Sequence, residues 1–278
     1  MKIARVFPRK TNMTPNDELV YFDRPPMLIL PEVDEVHISV TFTWDLEQAE
    51  RLADAWSVVG VPVKIGGPAF NKPGGEFIPG MYLKKGCVIT SRGCKNRCWF
   101  CNVPKREGYK VKELTIHDGY NIMDDNILAT SEMHQNMVYD MLARQTEKPI
   151  FSGGLEAKLM TEWQAKRILE LKPSRMYFAY DTPDDYEPLV NAGKLLMEYG
   201  YNPGSHVGGC YVLIGYHGDT FEKADKRIQQ AADAGFMPYA MLYRDGNHEP
   251  DPEWKKFQRC ELRSNIVSRR MAKWKKNA

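Results

Sequence analysis

The chain contains 278 residues, of which 43% are hydrophobic and 27% are charged, and its formal net charge is +2. This length allows one large domain or two ordinary ones, with a core that needs no disulfide bonds. No apolar run reaches the roughly 18 residues of a transmembrane helix, so we expect no membrane contact. No apolar stretch follows the charged N-terminus, as it would in a secretory signal. The net charge is too small to indicate a polyanion as partner of the whole chain.

The first predicted elements form a small strand–helix–strand unit. Residues 36–42 are a β-branched run of strand length, and apolar residues recur at helical spacing over 45–56. Residues 61–65 give a second short strand, which should lie parallel to the first. Residues 66–80 hold five glycines and three prolines. This composition predicts a loop and a domain boundary, so that residues 1–80 form an N-terminal domain.

From residue 81 onward, strand-like and helix-like segments alternate. The predicted strands cover residues 86–90, 119–123, 149–152, 175–180, 209–215 and 238–243. The predicted helices cover residues 131–146, 161–171, 184–199 and 220–234. This alternation predicts an α/β fold over residues 81–246, with a parallel sheet that is open or curled into a partial barrel. Ligands of such sheets bind at the carboxyl ends of the strands.

Residues 247–278 form a basic C-terminal extension. Nine lysines and arginines lie between residues 253 and 276, together with Trp254, Phe257 and Trp274. One interpretation is a nucleic-acid-binding arm, in which the cations meet phosphates and the aromatic rings stack on bases. The other is an amphipathic helix that closes the preceding domain and leaves its basic face in solvent.

Three of the six cysteines form a cluster in the sequence. Cys94, Cys98 and Cys101 are separated by three and by two residues, just after the first strand of the alternating region. Without an export signal we expect a cytoplasmic protein, in which clustered thiols indicate metal ligands rather than disulfides. Structural zinc normally takes four protein ligands, whereas three thiolates leave a position open and also suit an iron–sulfur cluster. Zinc and iron–sulfur both remain open at this point.

The cysteine spacing, with the aromatic Phe100 directly before the last cysteine, resembles the signature of the radical S-adenosylmethionine (radical SAM) superfamily. The resemblance implies that Cys94, Cys98 and Cys101 hold a 4Fe–4S cluster, that Phe100 lies at the cofactors, and that SAM chelates the fourth iron. It also implies a partial (β/α)6 radical SAM barrel behind the small N-terminal unit. In this family one electron splits SAM into methionine and a 5′-deoxyadenosyl radical, which abstracts hydrogen from the substrate.

Two further segments resemble SAM-binding positions of the same family. Asp124, Asp125 and Asn126 leave the second strand, where the resemblance implies acceptors for the SAM ammonium group. Glu156 and Lys158 follow the third strand, where it implies contacts to the ribose and the methionine carboxylate. The simpler interpretations are a turn with a helix cap for the first segment and an exposed loop for the second. The sequences of these two segments most resemble the branch of cobalamin-dependent radical SAM enzymes and methylthiotransferases.

The last three candidate residues follow later strands. Asp181 ends the fourth strand, where it could face SAM or substrate or could cap the next helix. Gly215 ends the fifth strand and resembles the glycine that avoids a clash with the adenine. Arg244 follows the sixth strand and could pair with a carboxylate or phosphate, or form a surface salt bridge.

The N-terminal unit resembles the second half of a cobalamin-binding domain. Within residues 36–70 the matching features are Ser39, Thr41 and the Gly66-Gly67-Pro68 turn, but the Asp-x-His-x-x-Gly motif that supplies the lower axial ligand is missing. We therefore expect a truncated domain and no bound cobalamin.

Three functions follow from these patterns. The first is a radical SAM enzyme that receives electrons from a reductant such as flavodoxin or ferredoxin and acts on a nucleotide, a nucleic-acid base or a peptide. The second is a non-catalytic iron–sulfur or zinc protein that senses redox state or binds nucleic acid. The third is a cobalamin-dependent radical SAM methyltransferase.

Overall fold

The structure is a computed structural model that describes residues 1–244 and 251–275. The chain divides into two compact units, Met1–Gly119 and Tyr120–Ala278. The division therefore lies beyond the glycine-rich loop, and the three clustered cysteines belong to the first unit. The boundary expected between residues 246 and 247 lies outside the described residues. Among the described helices, none has both the length and the apolarity needed to cross a membrane.

The first unit begins with a parallel sheet of four strands. The strands are β1 (Ile3–Val6), β2 (Val20–Tyr21), β3 (Glu35–Ser39) and β4 (Val63–Gly66), in the spatial order β2-β1-β3-β4. Helix α1 (Leu46–Trp56) connects β3 to β4, and these two strands are parallel. The predicted strand–helix–strand unit is thus present. Its core is closed by the buried indole of Trp56, which packs with Val36, Ile38 and Val40.

The strands β1 and β2 were not predicted. The sequence of β1 is interrupted by a charged residue, Arg5, which is nevertheless buried. Its guanidinium pairs with Asp17 and donates to the carbonyl oxygen of Gly80 at 3.1 Å. A strand pattern based on apolar residues fails here because the buried charge is compensated by partners that are distant in the sequence.

The first unit ends with short elements around the cysteines. They are β5 (Cys87–Val88), β6 (Ser91–Arg92), α2 (Val103–Glu107) and β7 (Lys112–Glu113). The strands β6 and β7 pair in antiparallel orientation, so they join the two ends of the segment that carries the cysteines.

The second unit is built from alternating strands and helices. Its strands are β8 (Asn121–Ile122), β9 (Ile150–Phe151), β10 (Arg175–Tyr180), β11 (Gly208–Ile214) and β12 (Met237–Leu242). Helices α3 (Glu132–Ala143), α4 (Glu162–Glu170), α5 (Tyr186–Glu198) and α6 (Phe221–Asp233) alternate with them. These strands lie side by side in chain order and are parallel. The predicted α/β fold with a parallel sheet is confirmed.

The strands β8 and β9 are shorter than predicted, whereas β10 coincides with the prediction. The reason is visible where β9 ends. The amides of Ser152 and Gly153 both donate to the carbonyl oxygen of Ile122, at 2.9 and 3.0 Å. Two consecutive donors on one acceptor end the regular ladder, and the chain turns away from the sheet.

The C-terminal extension forms three short helices rather than one. They are α7 (Pro252–Glu261), α8 (Ser264–Arg270) and α9 (Ala272–Lys275). The break between α7 and α8 is at Arg263, which has an extended backbone. The aromatic rings of the extension pack inward: Trp254 lies 4.4 Å from Phe221 between ring centroids, and the indole of Trp274 donates to the carbonyl oxygen of Ala232 at 2.7 Å.

Candidate functional site

The three cysteines lie on residues 93–111, the segment between β6 and β7, which we call the cysteine loop. Gly93 begins this loop with a φ of +90°. A Cβ atom at this position would lie 2.2 Å from the carbonyl oxygen of Lys110. The two ends of the loop thus approach so closely that only glycine fits at residue 93. This contact explains why a glycine directly precedes Cys94.

A buried carboxylate anchors the cysteine loop. Glu107 is 5% exposed, at the end of α2. Its Oε1 lies 2.9 Å from Nε of Arg106 and 3.7 Å from a guanidinium nitrogen of Arg92, and it also accepts from the amide of Gly74 at 3.1 Å. Two cations and an amide compensate the buried charge, so the loop is attached to the glycine-rich segment as well as to β6.

Among the described residues, Cys94, Cys98 and Cys101 form no disulfide bond, and their side chains are partly exposed. Two of the sulfurs accept hydrogen bonds from backbone amides two residues further along: Asn96 N lies 3.5 Å from Cys94 Sγ, and Val103 N lies 3.4 Å from Cys101 Sγ. These hydrogen bonds orient two of the three sulfurs on the loop.

The thiols fit an iron–sulfur cluster by their donor chemistry. All three are unbridged thiols on one loop, and thiolates are the usual ligands of such clusters. Over residues 1–244 and 251–275, no three side chains of Cys, His, Asp or Glu are grouped in an arrangement that would hold a metal ion. The three cysteines therefore match an iron–sulfur site in the kind and number of their ligand atoms and in their place on one loop.

Aromatic rings accompany the cysteines. Phe100 is partly buried and meets the exposed Trp99 edge to face, with 5.3 Å between the ring centroids. The guanidinium of Arg97 lies over the ring of Tyr109 at 4.8 Å. The loop thus carries aromatic rings and a cation in addition to the thiols, and the cation could offset the negative charge of a cofactor.

In the second unit, two of the predicted segments come together after β8 and β9. Asp124 and Asn126 are buried, and Asp125 is partly exposed. The amide nitrogen Nδ2 of Asn126 donates to Oε2 of Glu156 at 2.5 Å. Asn126 and Glu156 therefore form one polar cluster at the carboxyl ends of β8 and β9, although they are far apart in the sequence.

A close backbone contact positions this cluster. A Cβ atom on Gly153 would lie 2.0 Å from the carbonyl oxygen of Asp124 and 2.7 Å from its amide nitrogen. The absence of a side chain at residue 153 thus lets the chain leaving β9 pass against the chain leaving β8.

Lys158 is held by a residue that the sequence analysis missed. Its ammonium group lies 2.8 Å from Oδ1 of Asp185, whose other oxygen accepts from the amides of Asp181 and Thr182 at 3.1 and 2.8 Å. Burial opposes ionisation of Asp185, but Lys158 and these amides outweigh it and lower its pKa. The pattern Thr182-x-x-Asp185 is a capping signal in the sequence and could have identified Asp185.

Asp181 lies beside Asp185, to which its backbone amide donates. Burial raises its pKa to about 7, and the charge of Asp185 adds to the rise while Arg227 opposes it. Asp181 can therefore hold or release a proton near neutral pH. The structure places it next to Asp185, the residue that binds Lys158.

Gly215 begins the turn after β11 and has a φ of +71°. A Cβ atom on it would lie 2.6 Å from Leu242 Cδ1 and 3.1 Å from Trp254 Cδ2, so apolar side chains occupy the space beside it. Its amide donates to Asp219 Oδ2 at 2.8 Å, and the same oxygen lies 2.7 Å from Arg227. Arg227, on α6, was missed because a lysine- and arginine-rich helix face is usually solvent-exposed.

The remaining candidates are Arg244 and four residues of the cysteine loop. Arg244 is exposed at the end of the first described range. Cys94, Cys98, Phe100 and Cys101 belong to the first unit, and the other candidates belong to the second. A scan against models of known protein families found no match to this chain, and a search of curated proteins found none either.

Proposed function

We propose that this chain is a radical SAM enzyme. The observation that carries the proposal is the triplet Cys94-x3-Cys98-x2-Cys101, a set of partly exposed thiols on one loop whose ends are joined by paired strands. Three thiolates leave a fourth iron of a 4Fe–4S cluster without a protein ligand, which is the position that SAM takes in this family.

The polar cluster of the second unit supports the proposal. Asn126 and Glu156 are hydrogen-bonded where two parallel strands end, the part of such sheets that binds ligands. In the proposed enzyme, Asp124 and Asn126 accept from the SAM ammonium group, Glu156 binds the ribose hydroxyls, and Lys158 leaves Asp185 to bind the methionine carboxylate.

The chemistry that the cofactors supply is the reductive cleavage of SAM to methionine and a 5′-deoxyadenosyl radical, which abstracts hydrogen from the substrate. The chain itself binds and orients: its cysteines would hold the cluster, the residues after β8 and β9 would hold SAM, and Asp181 would hold a proton beside Asp185. The electron comes from a reductant such as flavodoxin or ferredoxin.

The test is anaerobic reconstitution with iron and sulfide, followed by dithionite and SAM and an assay for 5′-deoxyadenosine. We expect absorbance near 400 nm and formation of 5′-deoxyadenosine by the wild type, and loss of both in the triple variant Cys94→Ser/Cys98→Ser/Cys101→Ser. Cys260→Ser is the matched control, because this partly exposed cysteine lies on α7 and should leave both signals intact.

The alternatives give different results in the same assay. Iron or zinc that binds through the three cysteines without cleavage of SAM would indicate a non-catalytic metal protein. A corrinoid that copurifies stoichiometrically would indicate a cobalamin-dependent methyltransferase. Iron binding and SAM cleavage that survive in the triple variant would refute the proposal.

A further inference from the structure

The three long strands of the second unit have one face covered by helices. Alternate residues on this face are buried, among them Met176, Phe178, Cys210, Val212 and Ala240. The ring of Phe178 lies 4.6 Å from that of Phe236, between centroids, and the hydroxyl of Tyr180 donates to Gln230 on α6 at 2.8 Å.

The opposite face carries three tyrosines, one on each strand, which we call the tyrosine face: Tyr177, Tyr211 and Tyr239. The rings of Tyr177 and Tyr211 are stacked, with 5.1 Å between centroids and 12° between planes, and Tyr239 lies 5.8–5.9 Å from both. Parallel sheets are normally covered on both faces. Here Met241, on the same face, is 46% exposed.

Two small residues shape the tyrosine face. A Cβ atom on Gly209 would lie 2.8 Å from Tyr239 Cε2 and 3.0 Å from Tyr177 Cδ1, so the tyrosine rings use the space that a side chain would fill. Ala179 pairs in register with Tyr211 and is exposed. The space above Gly209 is thus occupied by aromatic rings, whereas the space above Ala179, beside Tyr211, is open.

The open space above Ala179, beside the stacked rings, is typical of a ligand site rather than of a packed core. Rings that only filled a core would be covered, together with the alanine next to them. Burial raises the pKa of Tyr211 to about 12, so its hydroxyl remains a neutral hydrogen-bond donor and acceptor at neutral pH. Arg175 begins the same face of β10, and its positive charge acts on Tyr239.

We propose that the tyrosine face binds the base of a nucleotide, which stacks on Tyr211 above Ala179 while Arg175 faces its phosphate. Aromatic side chains stack on bases of any sequence, and a guanidinium pairs with phosphate oxygens. The inference names the substrate class of the proposed enzyme and rests on that function for the chemistry, whereas binding itself needs neither SAM nor the cluster.

The test is equilibrium dialysis of AMP, GMP, CMP and UMP against the full chain, without SAM or reductant. We expect at least one nucleotide to bind and Tyr211→Leu to weaken it about 5- to 150-fold, the range that loss of one base–aromatic stack gives. Ala179→Leu should weaken nucleotide binding at least as much, because the leucine side chain fills the space above residue 179. Because Ala179 is exposed, this variant should keep the near-ultraviolet dichroism of the wild type.

Two control variants separate stacking from general disturbance. Tyr211→Phe keeps the ring and should bind within about threefold of the wild type, since stacking needs no hydroxyl. Tyr199→Leu removes a tyrosine that follows α5 and should not change binding. A single-stranded RNA oligomer is tested in parallel. Tighter binding of the oligomer identifies a base within a strand as the ligand, and tighter binding of a mononucleotide identifies a free nucleotide.

The proposal is overturned if neither nucleotides nor the oligomer bind at millimolar concentration. It is equally overturned if Tyr211→Leu and Ala179→Leu bind like the wild type, or if N-acetyltryptophanamide binds in preference to every nucleotide. Its failure is distinct from that of the proposed function: nucleotide binding that depends on Tyr211 can persist in a protein that does not cleave SAM, and SAM cleavage can occur in one that binds no nucleotide.

Discussion

Asp181, which follows β10 and lies next to Asp185, has its ionisation displaced toward neutral pH. Its pKa is about 7 in the folded protein against 3.8 for an ordinary aspartate, first because it is buried and second because Asp185 is charged. The folded protein therefore binds this proton more tightly than the unfolded chain does. The contribution of Asp181 to the free energy of unfolding falls as pH rises from about 4 to about 7 and is constant above that.

We predict that Asp181→Asn reduces this pH dependence, because asparagine does not titrate. Relative to the wild type, the variant should become more stable as pH increases through this window. The measurement is urea unfolding at several pH values between about 4 and 8. Asp184→Asn, at the exposed neighbouring carboxylate, is the control and should follow the wild-type profile. Parallel profiles for the wild type and Asp181→Asn would contradict the assignment.

Gly153 illustrates a residue whose role is purely spatial. Replacing it with alanine places a Cβ atom 2.0 Å from the carbonyl oxygen of Asp124, so the chain after β8 or β9 must move. We predict that Gly153→Ala lowers the free energy of unfolding by about 1–3 kcal/mol, as overpacking does. Under the proposed function it also weakens SAM binding, because Asp124 is displaced.

Chemical denaturation and calorimetric titration with SAM check this prediction. Gly75→Ala is the control, since a Cβ atom there would meet nothing within 4 Å, and it should remain within about 1 kcal/mol of the wild type. An unchanged stability of Gly153→Ala would show that the two chains can separate without cost.

At the scale of elements, the connection between β11 and α6 depends on a buried ion pair. The side chain of Asp219 is 0% exposed and that of Arg227 is 6% exposed, and their closest atoms are 2.7 Å apart. Arg227 also donates to the carbonyl oxygen of Leu213 at 2.9 Å, and Asp219 accepts from the amide of Gly215. The ion pair thus joins the turn after β11 to helix α6.

Removing one partner of such a pair leaves a buried charge uncompensated. We predict that Arg227→Met lowers the free energy of unfolding by about 3–5 kcal/mol. Lys226→Met, the neighbouring exposed residue on α6, should change it by less than about 0.5 kcal/mol. Urea unfolding at neutral pH measures both, and a loss below about 1 kcal/mol for Arg227→Met would mean that the pair contributes little.

At the scale of the whole molecule, the C-terminal extension is part of the second unit rather than a free arm. Trp254 packs on Phe221, Trp274 donates to the carbonyl oxygen of Ala232, and Arg270 lies 2.8 Å from Glu261. Trp254 and Trp274, which could have stacked on bases, are therefore used in packing. Among the described basic side chains of the extension, Lys256 and Arg259 are exposed, and Arg270 pairs with Asp225 on α6.

We predict that a chain ending at residue 251 has a clearly lower Tm than the full chain, because Phe221 and the residues beside Gly215 lose their cover. Removing charge alone, in Lys256→Ala/Arg259→Ala, should leave Tm nearly unchanged, since both side chains are exposed. Calorimetry distinguishes the two interpretations of the extension. Equal Tm values for the shortened and full chains would favour the nucleic-acid-binding arm.

The sequence alone determined the order and type of most elements in the second unit. The strand predicted over 175–180 coincides with β10, and the four predicted helices are all present. Apolar periodicity and helix caps are local properties, so a pattern of neighbouring residues contains them. The kind of donor on the cysteine loop was readable for the same reason, because three thiols and their spacing are written within eight residues.

Only the tertiary structure decided which distant residues meet. Asp185 and Arg227 gain their roles from Lys158 and Asp219, and the buried Arg5 of β1 is tolerated only because Asp17 faces it. The tyrosine face arises from the register of three strands that are far apart in the chain. Pairing, burial and compensation of charge are set by long-range contacts, whose free energy depends on the complete fold and not on any local pattern.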